Sequence, residues 1–476
     1  MIDKKAKTKI LATLGPATGS KEEIKKIIEA GADAVRLNFS HSNHEYFENI
    51  FQAINDVCVE LSMPIATLLD LQGPKIRIGE LSEPEIEIKS GESIEITIDD
   101  LKGTKDKIST SYKLLPDDAE IGDKILIDDG LIKLSVTSIT KTSVICKVVD
   151  GGILKPKKGM NLPGIKVSAP SVTAKDYNDL EFAMKHRVDF IALSFVRRAQ
   201  DILELRKWLK EHNYKTPIIA KIEKPEAVTN FEEILEVADG IMVARGDLGV
   251  EMEAQEVPII QKKIIRRCNE VGKLVITATQ MLESMIQNPV PTRAEASDVA
   301  NAVLDGTDVV MLSGETSVGK HPAHTVGIMN NILLTAEAHP SLRHKTNYEI
   351  PKDLSDNLFD STGRAVAGVS EQIQAKVIAV FTHQGRKAKM IAKFRPKADI
   401  IAFSDKFETL NTLNLYWGIQ SFFIDNIDDE DNAINRVNEI LRKQSIIENG
   451  DVIIYTAGAP YTEKGRRTWM RFAVFS

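Results

Sequence analysis

The chain has 476 residues, of which 43% are hydrophobic and 27% charged, and its net charge is −7 at pH 7. This composition predicts a globular protein of about two to four domains without the basic surface of a nucleic-acid-binding protein. The first residues, MIDKKAKTKI, lack the apolar core of a signal peptide, and no stretch approaches the ~18 apolar residues of a membrane span, so we expect a cytoplasmic protein that contacts neither membranes nor nucleic acid.

The three cysteines, Cys58, Cys146 and Cys268, are far apart and form no CxxC pair. Scattered cysteines of odd number argue against a disulfide framework or a zinc site. We expect three free thiols in a reducing compartment.

Short apolar runs with polar ends alternate with amphipathic stretches along most of the chain. The runs are KILATLG (9–15), AVRLNFSH (34–41), IATLLDLQG (65–73), FIALSFV (190–196), PIIAKIE (217–223), GIMVARGD (240–247), LVITATQ (274–280) and VVMLSGE (309–315). Helical periodicity is clearest in KEEIKKIIEAG (21–31), EYFENIFQAINDVCVEL (45–61), DILELRKWLKEHN (201–213) and EASDVANAVLDG (295–306). Strands that alternate with helices predict parallel βαβ units, and eight of them match an α/β fold of the closed (β/α)8 barrel type.

The alternation is interrupted after the third run. Residues 84–99, 123–139 and 142–150 alternate apolar and polar with period two, which predicts antiparallel strands. The βα rhythm resumes at AKDYNDLEFAMKHRV (174–188). We therefore interpret residues 74–170 as an inserted antiparallel β domain, and an insertion at the C-terminal end of a barrel strand predicts a lid over the active site.

A third unit follows the barrel. The helical stretch TVGIMNNILLTAEAH (325–339) is followed by a polar, proline-containing linker at 339–354. Five further strands are predicted at 375–382, 398–404, 419–425, 451–458 and 468–475. The predicted domains are a catalytic barrel (1–73 and 171–345), a β-rich lid (74–170) and a C-terminal open α/β regulatory domain (346–476).

Two carboxylates at neighbouring strand ends are the strongest chemical signal. Glu223 ends the fifth run and Asp247 the sixth, with no His or Cys beside them. Such a pair suits a hard cation, most simply Mg²⁺ with Mn²⁺ as an alternative, because magnesium completes its shell with water and substrate oxygens. The competing interpretation is that each carboxylate caps a helix or pairs with a nearby cation.

Cations around this pair favour the metal. Arg36 occupies a strand position where a core residue is expected, and Lys221 faces the same way as Glu223 because alternate strand residues share a face. Together with Arg77 and Arg245 they provide the charge that phosphoryl transfer requires. Taken separately, Arg36 and Lys221 could also form structural ion pairs.

Glycine and hydroxyl residues follow the same strand ends. Gly246 separates a cation from a carboxylate in ARGDLG (244–249), where a glycine lets backbone N–H groups approach an anion. Thr279 and Ser313 place hydroxyls at the ends of the seventh and eighth runs, and His41 ends the second. An ordinary turn and helix caps are the alternatives for these positions.

The motifs that carry these residues resemble those of the pyruvate kinase family. They stand in this sequence as TLGPAT (13–18), RLNFSH (36–41), DLQGPKIR (70–77), NLPG (161–164), IAKIEKPEA (219–227), MVARGDLGVE (242–251), ATQMLESM (278–285) and MLSGET (311–316). The resemblance runs in order over essentially the whole chain. It implies a glycolytic phosphotransferase that uses Mg²⁺ and converts phosphoenolpyruvate and ADP to pyruvate and ATP.

The resemblance also implies roles at the active site. It places the metal on Glu223 and Asp247, and it gives Lys221 the stabilisation of the transferring phosphoryl group. The residues it implies for phosphoenolpyruvate binding are Arg36, Lys221, Gly246, Asp247 and Thr279. Proton donation to the enolate is expected from Thr279, through water or together with Ser313.

Nucleotide and monovalent-cation contacts are implied in the same way. The nucleotide is expected to meet Asn38, Phe39, Ser40, His41, Arg77 and Lys158. The monovalent-cation region comprises Asn38, Ser40, Asp70 and Lys75. In much of the family a Glu stands at the position of Lys75 and a K⁺ ion helps to bind substrate near Asp70. Because the Lys75 ammonium supplies the charge of that ion, we expect that K⁺ is not required; the alternative is a solvated lysine on a hinge.

The C-terminal domain resembles the allosteric unit of the family, and the family implies a homotetramer. In THQGRKAK (382–389) a strand ends, Gly385 turns the chain and a helix begins with cations, a geometry that binds phosphate. The predicted effector contacts are Thr382, Gly385 and Arg386. The Ser/Thr-rich loop typical of the family is reduced here to Thr382, so a sugar phosphate and a nucleoside monophosphate both stay open as effectors. A capped helix with a basic surface is the alternative.

Two other functions compete with a phosphotransferase. A Mg²⁺-dependent lyase or aldolase acting on keto acids would also use a carboxylate pair, but it has no need for Lys158 or the Arg77 turn. A non-catalytic metabolite sensor would have no need for Lys221, Glu223 and Asp247.

Overall fold

The computed structural model describes residues 5–40, 44–339, 346–425, 430–459 and 467–475. Its centre is a closed barrel of eight parallel strands: Lys9–Thr13, Ala34–Asn38, Ala66–Asp70, Phe190–Leu193, Ile218–Ile222, Gly240–Ala244, Leu274–Ala278 and Val309–Leu312. Each strand lies within one of the eight predicted runs, and the strands pair in chain order around the ring. The predicted barrel is confirmed.

The barrel strands are buried on both faces, which explains their continuous apolar sequence. Leu68, Phe190 and Ile276 fill the inside of the barrel, whereas Ile10 and Leu69 pack against the surrounding helices. Those helices are Lys21–Glu29, His44–Leu61, Ala174–Ala183, Ala199–Glu211, Pro225–Thr229, Phe231–Val237, Val257–Val271, Arg293–Asp305 and Pro322–Glu337. Short helical turns at strand ends are Pro16–Thr18, Arg245–Glu251, Glu283–Ile286 and Gly314–Ser317.

The insertion after the third barrel strand forms β sheets, as predicted. Its main sheet has the order Met160–Asn161, Lys124–Ile127, Ile132–Ile139, Ser143–Asp150, Ser93–Thr97 and Lys107–Ser109, and a small sheet pairs Ile86–Ile88 with Gly152–Leu154. A short helix spans Leu115–Asp118. Ser93–Thr97 and Lys107–Ser109 run parallel, so the predicted antiparallel sheet has one parallel pair at its edge. The connecting segment 98–106 is longer than a hairpin turn. It brings the chain back to the end of the sheet at which Ser93–Thr97 begins, so that Lys107–Ser109 runs in the same direction.

One buried carboxylate joins the two connections between barrel and lid. Asp176 Oδ1 accepts a hydrogen bond from Gly73 N at 3.1 Å, and Asp176 Oδ2 accepts one from Thr173 N at 2.8 Å. Gly73 has a φ of 65°, which favours glycine, and a Cβ there would lie 2.9 Å from the Phe195 ring. We propose that the domain boundaries near residues 73–74 and 170–171 flank this clamp.

The C-terminal unit is a five-stranded α/β sheet. Its strands are Val377–Phe381, Asp399–Ser404, Ile419–Phe423, Val452–Ala459 and Arg467–Val474, in the spatial order third, second, first, fourth, fifth, with the last strand antiparallel. Its helices are Leu354–Gln372, Arg386–Lys393, Phe407–Leu413 and Glu430–Lys443. Of the predicted linker at 339–354, residues 339 and 346–353 contain neither helix nor strand, and residue 354 begins the helix Leu354–Gln372.

The C-terminal domain packs on the barrel end opposite to the polar strand ends. Asn414 Nδ2 donates to the carbonyl oxygens of Asp33 (2.7 Å) and Pro64 (2.9 Å), and Arg395 Nη2 lies 2.7 Å from Asp308 Oδ1. Asp33 and Asp308 both precede barrel strands. Within the described ranges, none of the helices has the length and apolar character needed to cross a membrane.

Candidate active site

A buried lysine lies at the centre of the polar barrel end. Lys221 Nζ lies 3.2 Å from Asp70 Oδ1 and 2.9 Å from Glu223 Oε1, and it donates to Ser194 Oγ at 2.7 Å. The side chain of Lys221 is 11% exposed, and those of Asp70 and Glu223 are 2% and 1% exposed. Burial opposes the charged form, but the two carboxylates outweigh it and raise the pKa of Lys221. The lysine is a fixed positive charge.

Asp70 holds a second cation in place. Arg36 Nε donates to Asp70 Oδ2 at 2.7 Å, and Arg36 Nη1 donates to Thr13 Oγ1 at 3.1 Å. Burial acts against ionisation of Asp70, but Lys221 and Arg36 overcome it and lower the pKa of this carboxyl. Both oxygens of Asp70 therefore serve to position the two cations.

Glu223 and Asp247 form the predicted carboxylate pair. Glu223 Oε2 accepts a hydrogen bond from Phe195 N at 2.8 Å. Burial raises the pKa of Glu223, Lys221 counteracts this, and the charge of Asp247 raises it further. Asp247 is half-buried in the first turn of Arg245–Glu251. Two repelling carboxylates are relieved by a divalent cation, and their all-oxygen donor set fits Mg²⁺.

A magnesium ion at this pair would need further oxygen ligands from substrate and water. Within the described ranges, no group of three or more His, Cys, Asp or Glu residues is arranged to hold a metal. Two protein carboxylates suffice for Mg²⁺, which retains several waters and usually shares substrate phosphates. The arrangement therefore fits a metal that is completed by a phosphorylated substrate.

Arg245 does not belong to the active-site cations, and the sequence-based prediction was wrong here. Its Nη1 lies 2.8 and 2.6 Å from the two oxygens of Asp298. Its Nε and Nη2 donate to the carbonyl oxygens of Ala278 (3.2 Å) and Thr279 (2.6 Å). The Asp298 carboxylate and the two carbonyl oxygens together occupy the guanidinium, so Arg245 braces the end of the seventh strand.

Thr279 is held in a strained conformation beside Gly246. Its φ is 65°, which is costly for a β-branched residue. Thr279 Oγ1 accepts a hydrogen bond from Gly246 N at 2.8 Å and donates to Ala278 O at 2.7 Å. A Cβ at position 246 would lie 3.4 Å from Thr279 Oγ1, at the edge of ordinary van der Waals contact. These two hydrogen bonds fix the hydroxyl at the barrel mouth.

Ser313 presents a buried hydroxyl at the end of the eighth strand. Its Oγ has no hydrogen-bond partner among the residues that the structure describes. The Ser313 backbone N–H donates to Glu315 Oε2 at 2.7 Å, and Leu282 N donates to Glu315 Oε1 at 3.0 Å. Glu315, which the sequence analysis did not single out, therefore joins two neighbouring strand ends and leaves the Ser313 hydroxyl available.

A cleft of about 210 Å³ lies between barrel and lid. Lys75, Arg77, Lys158 and Asp247 all line it. Arg77 Nη1 donates to the carbonyl oxygen of Lys157 at 2.9 Å, and Lys158 Nζ lies 2.9 Å from Asp128 Oδ1. Three predicted ligand-binding cations therefore line the same cleft as Asp247, one of the two paired carboxylates.

Of the predicted nucleotide contacts at the end of the second strand, Asn38 and Ser40 lie near the surface but the Phe39 ring does not. Asn38 Oδ1 accepts a hydrogen bond from Ser40 N at 3.2 Å, and both residues are half-buried. The Phe39 ring is buried and stacks on Phe47 with 3.9 Å between ring centres. A nucleotide contact by the Phe39 ring is therefore excluded, because this apolar side chain packs into the core. His41 lies outside the described residues.

The predicted effector loop forms a turn before a helix. Thr382 Oγ1 accepts a hydrogen bond from Gly385 N at 3.0 Å, and Gly385 has a φ of 75°. Arg386 forms an ion pair with Asp356, and its guanidinium carbon lies 4.1 Å from the centre of the Phe359 ring. Both contacts come from the helix Leu354–Gln372.

Lys387 is a further cation at this loop, and the sequence analysis missed it. It is 4% exposed, and its Nζ donates to Thr468 Oγ1 at 3.2 Å. Burial lowers the pKa of Lys387 to about 8. Its position directly after Arg386 was visible in the sequence, but its burial beneath the last strand was not.

The closed barrel, its β-rich lid and the buried lysine at the barrel mouth are the arrangement of a phosphotransferase. Family models described as "Pyruvate kinase, barrel domain" and "Pyruvate kinase, alpha/beta domain" match residues 5–326 and 360–471. The chain belongs to the pyruvate kinase family. It is therefore a glycolytic phosphotransferase, and its substrates are phosphoenolpyruvate and ADP.

Similarity to individual relatives extends over nearly the whole chain. A pyruvate kinase of Geobacillus stearothermophilus is 44% identical over 476 residues, which cover 99% of this chain and 81% of the relative. A pyruvate kinase of Staphylococcus aureus (strain MRSA252) is 44% identical over 467 residues, which cover 98% and 80%. The crystal structure of a pyruvate kinase from Cryptosporidium parvum superimposes with a TM-score of 0.91 at 36% identity and covers 99% of this chain and 96% of that one.

Proposed function

We propose that the chain transfers the phosphoryl group of phosphoenolpyruvate to ADP by a Mg²⁺-dependent mechanism at the polar end of the barrel. The observation that carries this proposal is the buried Lys221 ammonium, held between Asp70 and Glu223. Glu223 and Asp247 would hold Mg²⁺, or Mn²⁺ in its place, which when bound neutralises charge on phosphoryl oxygens.

Side chains of the barrel stabilise the transferring group, position the substrate and supply the proton. Lys221 and Arg36 stabilise the negative charge of the transferring group as the bond from phosphorus to the enolate oxygen breaks and the bond to an ADP oxygen forms. Gly246, Asp247 and Thr279 position phosphoenolpyruvate. The enolate takes a proton from the Thr279 hydroxyl, which is resupplied through water or Ser313.

The lid supplies the nucleotide contacts. Arg77 and Lys158 bind the phosphates of ADP from the lid side of the cleft, and Asn38 and Ser40 meet the nucleotide from the barrel side. Closure of the lid excludes water, which would otherwise compete with ADP for the phosphoryl group. We also propose a cytoplasmic homotetramer, for which sedimentation velocity is the direct measurement of assembly.

An assay of pyruvate formation tests this proposal. We expect the reaction to require both ADP and a divalent cation, to stop on addition of EDTA and to resume with excess Mg²⁺ or Mn²⁺. Equal rates of pyruvate formation with and without ADP would contradict it and favour a lyase.

The position of Lys75 predicts activity without K⁺. Lys75 is exposed, lines the cleft and forms no ion pair with any residue in the described ranges. Its charge is therefore available to a bound anion. We expect equal turnover in Na⁺, Tris and K⁺ buffers. In Lys75→Glu, kcat/KM should fall about tenfold without K⁺, because a negative charge that repels the anionic substrate replaces a positive charge that attracts it. Addition of K⁺ should restore kcat/KM in this variant.

The control for this comparison is Lys133→Glu, which reverses the charge at another exposed position of the lid. Lys133 Nζ lies 3.1 Å from Asp150 Oδ2. It should not create a response to K⁺. Strong K⁺ dependence of the unaltered chain would refute the role given to Lys75.

We further propose a phosphorylated effector at Thr382, Gly385 and Arg386. Lys387 supports it, because a buried ammonium whose described partner is a hydroxyl gains from an adjacent anion. A panel of sugar phosphates and nucleoside monophosphates should contain an activator. Arg386→Ala should remove that activation, measured relative to the turnover of the same variant without effector. Lys389→Ala, which changes a cation further along the same helix, should retain it. Activation that survives Arg386→Ala would place the site elsewhere.

A further inference from the structure

The lid contacts the barrel at a buried ion pair. Asn161 Nδ2, on the lid, donates to Glu251 Oε1 at 2.9 Å, and the same oxygen lies 2.5 Å from Lys224 Nζ. The side chain of Glu251 is 1% exposed and that of Lys224 is 13% exposed. A second lid residue faces the same barrel helix, since a Cβ at Gly130 would lie 4.0 Å from Val250 Cγ1.

This ion pair joins the two segments that carry the proposed metal ligands. Lys224 directly follows Glu223, and Glu251 ends the short helix Arg245–Glu251 that has Asp247 in its first turn. Separating a buried lysine from its carboxylate leaves an uncompensated charge, which is strongly unfavourable. The pair therefore fixes the spacing of the two segments.

We propose that Asn161 and Glu251 are positioning residues that latch the closed lid to the metal-ligand segments. The hydrogen bond from Asn161 draws its strength from the charge of Glu251, and it forms only when the lid lies against the barrel. Closure of the latch brings Arg77 and Lys158 to the carboxylate pair. This inference rests on the proposed function for the nucleotide roles of those two cations, but the contact itself is independent of them.

A negative charge introduced at the latch provides the test. Asn161→Asp sets two carboxylates against each other and should open the lid, whereas Asn161→Ala only removes the hydrogen bond. Glu251→Gln combined with Asn161→Asp removes the repulsion, because the Gln amide can donate to the new carboxylate, which then replaces Glu251 as the anion beside Lys224. Thr137→Ala is the control, because its Oγ1 hydrogen bond to Ile145 O (3.0 Å) lies wholly within the lid.

Two measurements separate the latch from the proposed function. Small-angle scattering of the substrate-free enzyme should show a larger radius of gyration for Asn161→Asp, and the double variant should restore the smaller value. The KM for ADP should rise about tenfold in Asn161→Ala and about a hundredfold in Asn161→Asp, with partial recovery in the double variant and a smaller change in kcat. Thr137→Ala should behave as the unaltered enzyme.

The outcomes are distinguishable. An unchanged radius of gyration in Asn161→Asp, or a double variant no better than the single one, would overturn the latch. A larger radius of gyration with an unchanged KM for ADP would support the latch and contradict the nucleotide roles proposed for Arg77 and Lys158.

Discussion

Lys221→Met is expected to lower kcat by roughly 10³–10⁵-fold, because a cation aimed at the transferring phosphoryl group is typically worth this much. The Lys221 ammonium is already desolvated and fixed by Asp70, Glu223 and Ser194. It therefore needs no reorganisation when charge develops on the substrate. Met has a similar volume and removes the charge alone.

The same substitution should also weaken the fold. It leaves two buried carboxylates without their shared cation, and breaking a buried ion pair costs about 3–5 kcal/mol. Turnover therefore has to be measured on material whose circular dichroism confirms folding. Lys9→Met is the matched control, since Lys9 is a buried lysine of the first barrel strand that lies 3.5 Å from Asp33 at the opposite end of the barrel. It should lose comparable stability and keep its turnover; a mild effect of Lys221→Met on kcat would contradict the role of Lys221.

The raised pKa of Lys221 adds an expectation about pH. A lysine whose folded pKa lies above its unfolded value stabilises the fold below the unfolded pKa, and this contribution is lost as the pH rises through the folded pKa. Lys221 therefore stays protonated at neutral and mildly alkaline pH. The alkaline limb of the kcat profile should come from another group.

The sequence sufficed for the barrel because each strand carries its own signal. Apolar runs that are buried on both faces and end in polar residues identify strands and their C-terminal ends without any long-range information. The shared face of Lys221 and Glu223 also followed from strand alternation, and the structure brings Lys221 Nζ within 2.9 Å of Glu223 Oε1.

Where the prediction failed, the deciding partner is distant in sequence. Arg245 turns from the site because Asp298, on a helix that follows the next strand, forms an ion pair with its Nη1. The roles of Glu315 and Lys387 likewise depend on contacts that no local pattern records. Phe39 belongs to a motif associated with ligand contacts, yet its ring packs on Phe47. A motif therefore indicates where the chemistry lies but not which side chains point into it.

Glu223→Gln should lower activity strongly, with a smaller loss of stability than Lys221→Met. We expect kcat to fall by about 10²–10³-fold and the Mg²⁺ concentration for half-maximal activity to rise, because one of two metal-binding carboxylates is lost. The folded pKa of Glu223 is raised, chiefly by burial and further by Asp247. A carboxyl with a raised folded pKa weakens the fold at pH values above it, and Asp70 still pairs with Lys221 in this variant, so a neutral amide should lower the thermal midpoint less than Lys221→Met does.

Asp308→Asn is the matched control for Glu223→Gln. Burial also raises the pKa of Asp308, which lies at the opposite end of the barrel beside Arg395. Its replacement should leave the Mg²⁺ response and kcat as they are. Isothermal titration with Mn²⁺ adds a readout that does not depend on turnover: affinity should fall in Glu223→Gln and in Asp247→Asn but not in Asp308→Asn. Unchanged Mn²⁺ affinity in both active-site variants would show that the metal lies elsewhere.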